Sequence, residues 1–261
     1  DPLSKTIIIG NQDTGTGMQF ADDDSRFFSI STADGGDVAA FIDPSNPEQS
    51  IRLSSFQSLG AFRLTRWDAD NNLVSQSFPA LTNFDFAVPF VTPIEINAVD
   101  QTRFAIQGTT SVWVTDDFGD TVEAAGPAGF IGLTNAMIYG GRANGQDFPD
   151  VLYYGVNDQL FARVPGQSMA TERTWNFDFI NDIAINSSDY REVFIVDASN
   201  RVYRSTTSAS SFSDITGNLG ATQLRTIEYL PGPNEGIIVG TASGVWYSSA
   251  DSYGDWSRLG E

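Results

Sequence analysis

The side chains in this chain that could do chemistry are almost all oxygen donors. It carries 33 Asp and Glu against 14 Lys and Arg, with neither histidine nor cysteine. The absence of histidine removes the usual general base, which excludes Ser-His-Asp and Cys-His centres. With no thiolate and no imidazole, a metal would have to be a hard cation held by oxygen, calcium above all. Asp68-Ala69-Asp70-Asn71-Asn72 has the alternating oxygen spacing of a calcium loop, so Asp68, Asp70 and Asn72 are the candidate metal ligands. The position where an EF-hand needs its bidentate Glu is Pro79, however. A hairpin turn between Arg63-Leu64 and Leu73-Val74 explains the same residues more simply. The run Asp22-Asp23-Asp24 reads as a solvated loop whose clustered carboxylates would welcome a cation.

Glycoside hydrolysis needs two carboxylates across a sugar bond. With so many acids, candidate pairs are easy to find and no motif singles one out. Aromatic side chains offer the other route to sugars, by stacking. Trp113 and Trp246 sit centrally in strand-like runs and Trp175 and Trp256 close hairpins, so all four read as packing. Trp67 breaks that pattern between Arg66 and Asp68, which makes it the tryptophan expected to touch a ligand.

The elements that would hold these residues are short strands. Hydrophobic residues make up 41% of the 261 positions, enough for a folded core, and no apolar run reaches the length of a membrane span. A formal net charge of −19 argues against nucleic acid and anionic membranes, both of which call for clustered cations. Residues Asp1–Lys5 lack the basic start and apolar middle of a signal peptide, so targeting lies elsewhere or has been removed. The acidic, cysteine-free composition fits an exported protein, extracellular or at the cell surface.

An internal repeat organises the chain. Glu192–Val196, Arg201–Ser205 and Phe212–Ile215 follow the same grammar as Gly236–Thr241, Gly244–Ser249 and a strand at Trp256. The grammar recurs as Val151–Gly155, Gln159–Arg163 and Thr174–Phe177, and as Phe104–Gly108, Ser111–Thr115 and Thr121-Val122. The aromatics Trp113, Phe161, Tyr203 and Trp246 recur at spacings of 48, 42 and 43 residues. Leading strands precede the units at Val38–Ile42, Thr92–Ile96, Asp182–Ile185 and Leu224–Ile227. A unit of about 40–50 residues with four short strands is a propeller blade. The expected fold is therefore all-β, a single β-propeller domain of about six four-stranded blades, roughly 1–36, 37–89, 90–128, 129–179, 180–222 and 223–261.

Thr115-Asp116-Asp117-Phe118-Gly119-Asp120-Thr121-Val122 has the spacing of a hairpin in which Asp caps backbone N–H groups and Gly takes a positive φ. Ser205–Phe212 and Ser249–Trp256 are degenerate copies. These turns resemble the Asp-box of BNR-like propellers. Ile9-Gly10-Asn11-Gln12-Asp13-Thr14-Gly15-Thr16 is similar to a turn of sortilin-type and xyloglucanase-type propellers. So are Asp34-Gly35-Gly36-Asp37-Val38 and the loop Asp43-Pro44-Ser45-Asn46-Pro47. The resemblance marks Gln12 and Asp13 as framework positions, the only binding candidates it locates. Catalysis in the xyloglucanase family implies two propellers facing one cleft, whereas one is expected here.

Six second strands can be counted, near Ile7, Ile51, Phe104, Leu152, Val193 and Ile237, but only five leading strands. Asp1–Lys5 resembles the loop after a leading strand, so the first blade is expected to start at its second. The ring would then be incomplete, or part of a seven-bladed one. Either the chain is excised from a longer polypeptide, or another chain or segment completes it. The leading functional expectation is a non-catalytic extracellular binding or scaffold propeller for protein or glycan, with no cofactor unless calcium is bound. The alternatives are a glycoside hydrolase or a subdomain of one, and a structural module of a larger surface assembly.

Overall fold

The computed structural model describes residues 1–129 and 136–260. It divides into two compact units, Asp1–Ala128 and Gly129–Glu261, each built from three antiparallel sheets. In the first unit, sheet one holds β1 (Ile8–Asn11), β2 (Gly15–Gln19) and β3 (Phe27–Ser29). Sheet two holds β4 (Gly35–Ile42), β5 (Gln49–Phe56), β6 (Arg63–Asp68) and β7 (Leu73–Ser77). Sheet three holds β8 (Ile94–Ile96), β9 (Phe104–Gln107), β10 (Ser111–Thr115) and β11 (Glu123–Pro127).

The second unit repeats the plan. Sheet four holds β12 (Met137–Ala143), β13 (Gln146–Val156), β14 (Gln159–Arg163) and β15 (Thr171–Arg173). Sheet five holds β16 (Ile180–Asn186), β17 (Asp189–Asp197), β18 (Val202–Ser205) and β19 (Ser213–Asp214). Sheet six holds β20 (Leu224–Leu230), β21 (Gly236–Thr241), β22 (Gly244–Ser249) and β23 (Trp256–Arg258). Strands follow chain order in every sheet, so the fold is all-β, a repeat of six blades of the propeller type. No helix among the described residues is long and apolar enough to cross a membrane.

Sheet packing explains the apolar runs. Alternate residues of a strand face opposite sides of its sheet. On β17, Val193 and Ile195 join the core shared with sheet four, while Phe194 and Val196 join the core shared with sheet six. Both faces are therefore buried, and the strand reads as continuous hydrophobe rather than as an alternation. In the first unit, Ile51, Leu53 and Leu64 of sheet two pack with Ile94, Phe104 and Ile106 of sheet three.

Two turn types knit the sheets. The turn between second and third strands meets the start of the next sheet: Ser58 N–H donates to the Phe90 carbonyl, Ile180 N–H to that of Asn157, and Leu224 N–H to the Asn200 side chain. Between third and fourth strands, Thr115 Oγ1 accepts from Asp117 and Gly119 N–H at 3.3 and 3.0 Å, and Asp117 accepts from Thr121 N–H. Ser205 Oγ accepts from Thr207 and Ala209 N–H at 3.1 Å each, and Thr207 Oγ1 accepts from Ser211 N–H. The two turns thus share one hydrogen-bond pattern although the second has lost its Asp and Gly. The Ser249 copy differs, forming a one-turn 3-10 helix at Ala250–Ser252.

Sheet one has three strands where the others have four. Asp13, in the β1–β2 turn, donates its N–H to Asp34 just before β4, the contact that a second-to-third turn makes elsewhere. Asp1 Oδ1 accepts from Leu3 and Ser4 N–H as Asp43 Oδ1 accepts from Ser45 N–H after the first strand of sheet two. β1, β2 and β3 are therefore second, third and fourth strands. Among the described residues no strand occupies the first position. Two outer strands differ from expectation: the fourth of sheet four is Thr171–Arg173 rather than Thr174–Phe177, and that of sheet three begins at Glu123, after the turn containing Val122.

Candidate functional site

Trp67 is buried, with 8% of its surface exposed. The Arg52 guanidinium lies 4.4 Å from its ring centroid, and its Nε1–H donates to Thr65 Oγ1 at 2.8 Å. The expected ligand-stacking face is covered by protein. The reason is a buried cation that composition cannot reveal. Arg52 is itself buried, donating to Asp1 Oδ2 at 2.7 Å and to Asn71 Oδ1 at 2.6 Å. Burial lowers its pKa to about 10.

Gln12 and Asp13 are both exposed in the β1–β2 turn, where Asp13 helps to join sheets one and two. Asp68 ends β6, and Asp70 and Asn72 lie in the β6–β7 turn. Asn72 donates its backbone N–H to Asp68 Oδ1 at 2.8 Å and its amide to Oδ2 at 3.1 Å, and these bonds hold the Asp68 carboxyl below its ordinary pKa. That is the geometry of a hairpin turn. Asp24 is paired with Arg26 at 2.7 Å. Among the described residues no three acidic side chains gather as a metal cluster would require.

A different group converges at one corner of sheet six. The link from β20 to β21 is Pro231-Gly232-Pro233-Asn234-Glu235, and the link from β22 to β23 contains the 3-10 turn. Ser249 caps that turn by accepting from Asp251 N–H at 3.3 Å, and Ala250 N–H donates to the Glu235 carbonyl at 2.9 Å. The two links enclose a cleft of about 410 Å³ lined chiefly by Asn234, Glu235, Tyr247, Ser249 and Asp251. Tyr247 OH donates to the carbonyls of Asn234 and Glu235 at 3.3 and 3.2 Å, fixing the loop to the strand. Gly236 permits this packing, because a Cβ there would lie 2.8 Å from the Tyr247 ring.

More tyrosines stand around this corner. Tyr229 donates its hydroxyl to the Glu235 carboxylate, and burial together with that carboxylate pushes its pKa up. Tyr253 packs 5.2 Å from Phe194, with the Arg204 guanidinium 4.6 Å from its ring. Its hydroxyl is buried without a hydrogen-bond partner, and burial, then Glu192, raises its pKa. Arg204 also donates to Glu192 at 2.7 Å, and Glu192 accepts from Asn186.

The lining presents two carboxylates, a tyrosine ring, an amide and a hydroxyl, with no cation and no large aliphatic side chain. Such a surface is almost wholly polar and exchanges hydrogen bonds with a polar ligand. Sequence reading missed it because its parts come from two links that only the folded sheet brings together. The long Pro-Gly-Pro-Asn-Glu link was the available signal. Trp175 was read as packing, yet it is 40% exposed and leans on Phe212 with centroids 5.6 Å apart. Comparison with protein-family models and with curated proteins yields no match.

Proposed function

We propose that this chain is a non-catalytic, exported binding propeller of the Asp-box kind, and that the corner of sheet six holds a glycan. The observation that carries the reading is the almost wholly polar lining of the cleft, which gathers amide, hydroxyl and carboxylate groups. Hydroxyl-rich ligands are recognised by convergent polar groups of this kind. The shared hydrogen-bond pattern of the Thr115 and Ser205 turns supports the Asp-box assignment.

Glu235 and Asp251 keep a second reading in view, since a glycoside hydrolase needs two carboxylates around its substrate. A glycan array probed with the intact chain separates the two. The binding reading expects retention of particular glycans without cleavage, and about tenfold weaker binding for Asp251→Asn or Asn234→Ala, the loss of roughly one hydrogen bond. Release of shortened glycan, abolished by Glu235→Gln, would establish the hydrolase instead. Retention of no glycan would remove both readings.

A further inference from the structure

Five of the six outer strands carry a feature that discourages pairing with another chain. β3 and β23 have three residues each and β19 has two. β11 runs from Glu123 to Pro127, and β15 contains Glu172 and Arg173. Short length, charge and proline are the means by which sheet edges are blunted. β7 has none of them: Leu73-Val74-Ser75-Gln76-Ser77 is five residues long, uncharged and exposed throughout. Leu73, Val74 and the following Phe78 are 52%, 50% and 61% exposed. β7 is the fourth strand of a complete four-stranded sheet, so its free edge is the outside of that sheet and not a gap in it. Beyond Phe78 the chain leaves for sheet three, where Leu81 N–H donates to the Gly119 carbonyl, and residues 72–78 all stay exposed.

The pairing of sheet two fixes which groups point outward. Asp43 N–H donates to the Gln49 carbonyl, so Gln49 bonds toward β4. Bonded residues alternate along an antiparallel strand, so Ser50, Arg52 and Ser54 bond toward β6, opposite Trp67, Thr65 and Arg63. Leu64 and Arg66 then bond toward β7, opposite Ser77 and Ser75. Asp68, two residues further on, follows the same alternation and donates its N–H to the Asn72 carbonyl at 3.1 Å. Gln76, between the two serines, therefore directs its N–H and C=O away from the sheet.

We propose that the free edge of β7 pairs, antiparallel, with the β7 of a second copy of this chain. A two-fold axis at Gln76 sets this residue opposite its own copy, each donating its N–H to the other's carbonyl. The same register places Val74 opposite the partner's Phe78 on both sides of the axis, and Ser75 opposite the partner's Ser77. Aromatic and β-branched side chains facing each other across two strands stabilise a sheet, so the three exposed positions Val74, Gln76 and Phe78 are matched by the same three. Charge favours a second copy as the occupant. A chain of net charge −19 repels itself wherever acid meets acid, yet from Asn71 to Phe84 it carries no charge at all. Pairing across a two-fold axis also uses the same edge on both copies and leaves neither free, so the assembly closes at a dimer.

Sedimentation equilibrium of the intact chain tests this. A monomer–dimer equilibrium is expected. Gln76→Lys sets like charges opposite each other on the axis while reducing the net charge, and is expected to weaken the dimer about tenfold or more. Phe86→Ser, at a ring outside β7 that is 60% exposed, is expected to leave it unchanged. The chain has no cysteine, so single cysteine variants read the register directly. Ser75 and Ser77 bond toward β6 and so form non-bonded pairs across the axis, with Cα atoms about 4.5 Å apart and within reach of a disulfide. An oxidised mixture of Ser75→Cys and Ser77→Cys is expected to cross-link as mixed dimer faster than either variant alone. A chain that stays monomeric up to about 1 mM, or that assembles beyond a dimer, overturns the proposal. So does a dimer untouched by Gln76→Lys, one weakened equally by Phe86→Ser, or a mixture that cross-links no faster than its parts.

Discussion

β1 and β17 are the same element under different circumstances. Both are second strands, both are rich in aliphatic residues and both end in a turn that touches the next sheet. β17 lies between two strands and two cores, whereas β1 has one strand beside it and half-exposed side chains. The difference teaches that apolar composition records the burial a strand is built for, and that a neighbour has to be present for the burial to occur.

The largest effect expected from this contrast is in the core. Phe194→Ala removes a fully buried ring between sheets five and six and should cost about 3–5 kcal/mol, while Ile8→Ala should cost under about 1 kcal/mol. Denaturant titration of both variants checks this, and equal losses would break the comparison. Arg52→Met addresses what holds β1 in place despite its open edge. It would strand the buried Asp1 carboxylate, at a cost of about 3 kcal/mol, and should loosen residues 1–6 as read by proteolysis.

The Asp of a first strand gives the next effect. Burial raises the Asp182 pKa to about 6, partly offset by hydrogen bonds from Thr226, Ile227 and Ile183. The folded state therefore holds this proton more tightly than the unfolded state does. Its contribution is present below about pH 4 and is lost as pH rises through about 6, on the order of 2 kcal/mol. Asp182→Asn should flatten stability across that window in a pH series of melts, and an unchanged slope would show that the carboxyl does not titrate there. The smallest effect concerns the two matching turns. Ala209 sits at φ +62° where Gly119 sits at φ +90°, so Ala209→Gly should stabilise the chain by about 0.5–1 kcal/mol.

The six units were legible because second strands are apolar runs and turns are rich in Gly, Asn and Asp. That the first sheet has three strands among the described residues was legible for the same reason, as one leading strand too few. Outer strands were less so: Thr171–Arg173 is short and largely exposed, so no periodicity marks it, and the more apolar Thr174–Phe177 drew the assignment. Trp67 was misread because a neighbouring Asp and Arg suggest solvent, while the cation that covers it, Arg52, comes from another strand. The tyrosine corner was hidden because Glu235 and Asp251 are separated in sequence by two strands' worth of chain and meet only through turn geometry.

Amide exchange in the chain alone, with no added peptide, tests the open edge of sheet one most directly. The structure predicts that Ile8 and Gly10 exchange at rates near those of exposed backbone, while Ile9, bonded to β2, and Phe194 and Val196, bonded to β16, are protected. Protection of Ile8 and Gly10 comparable to that of Phe194 and Val196 would contradict it, because the first strand position would then already be filled.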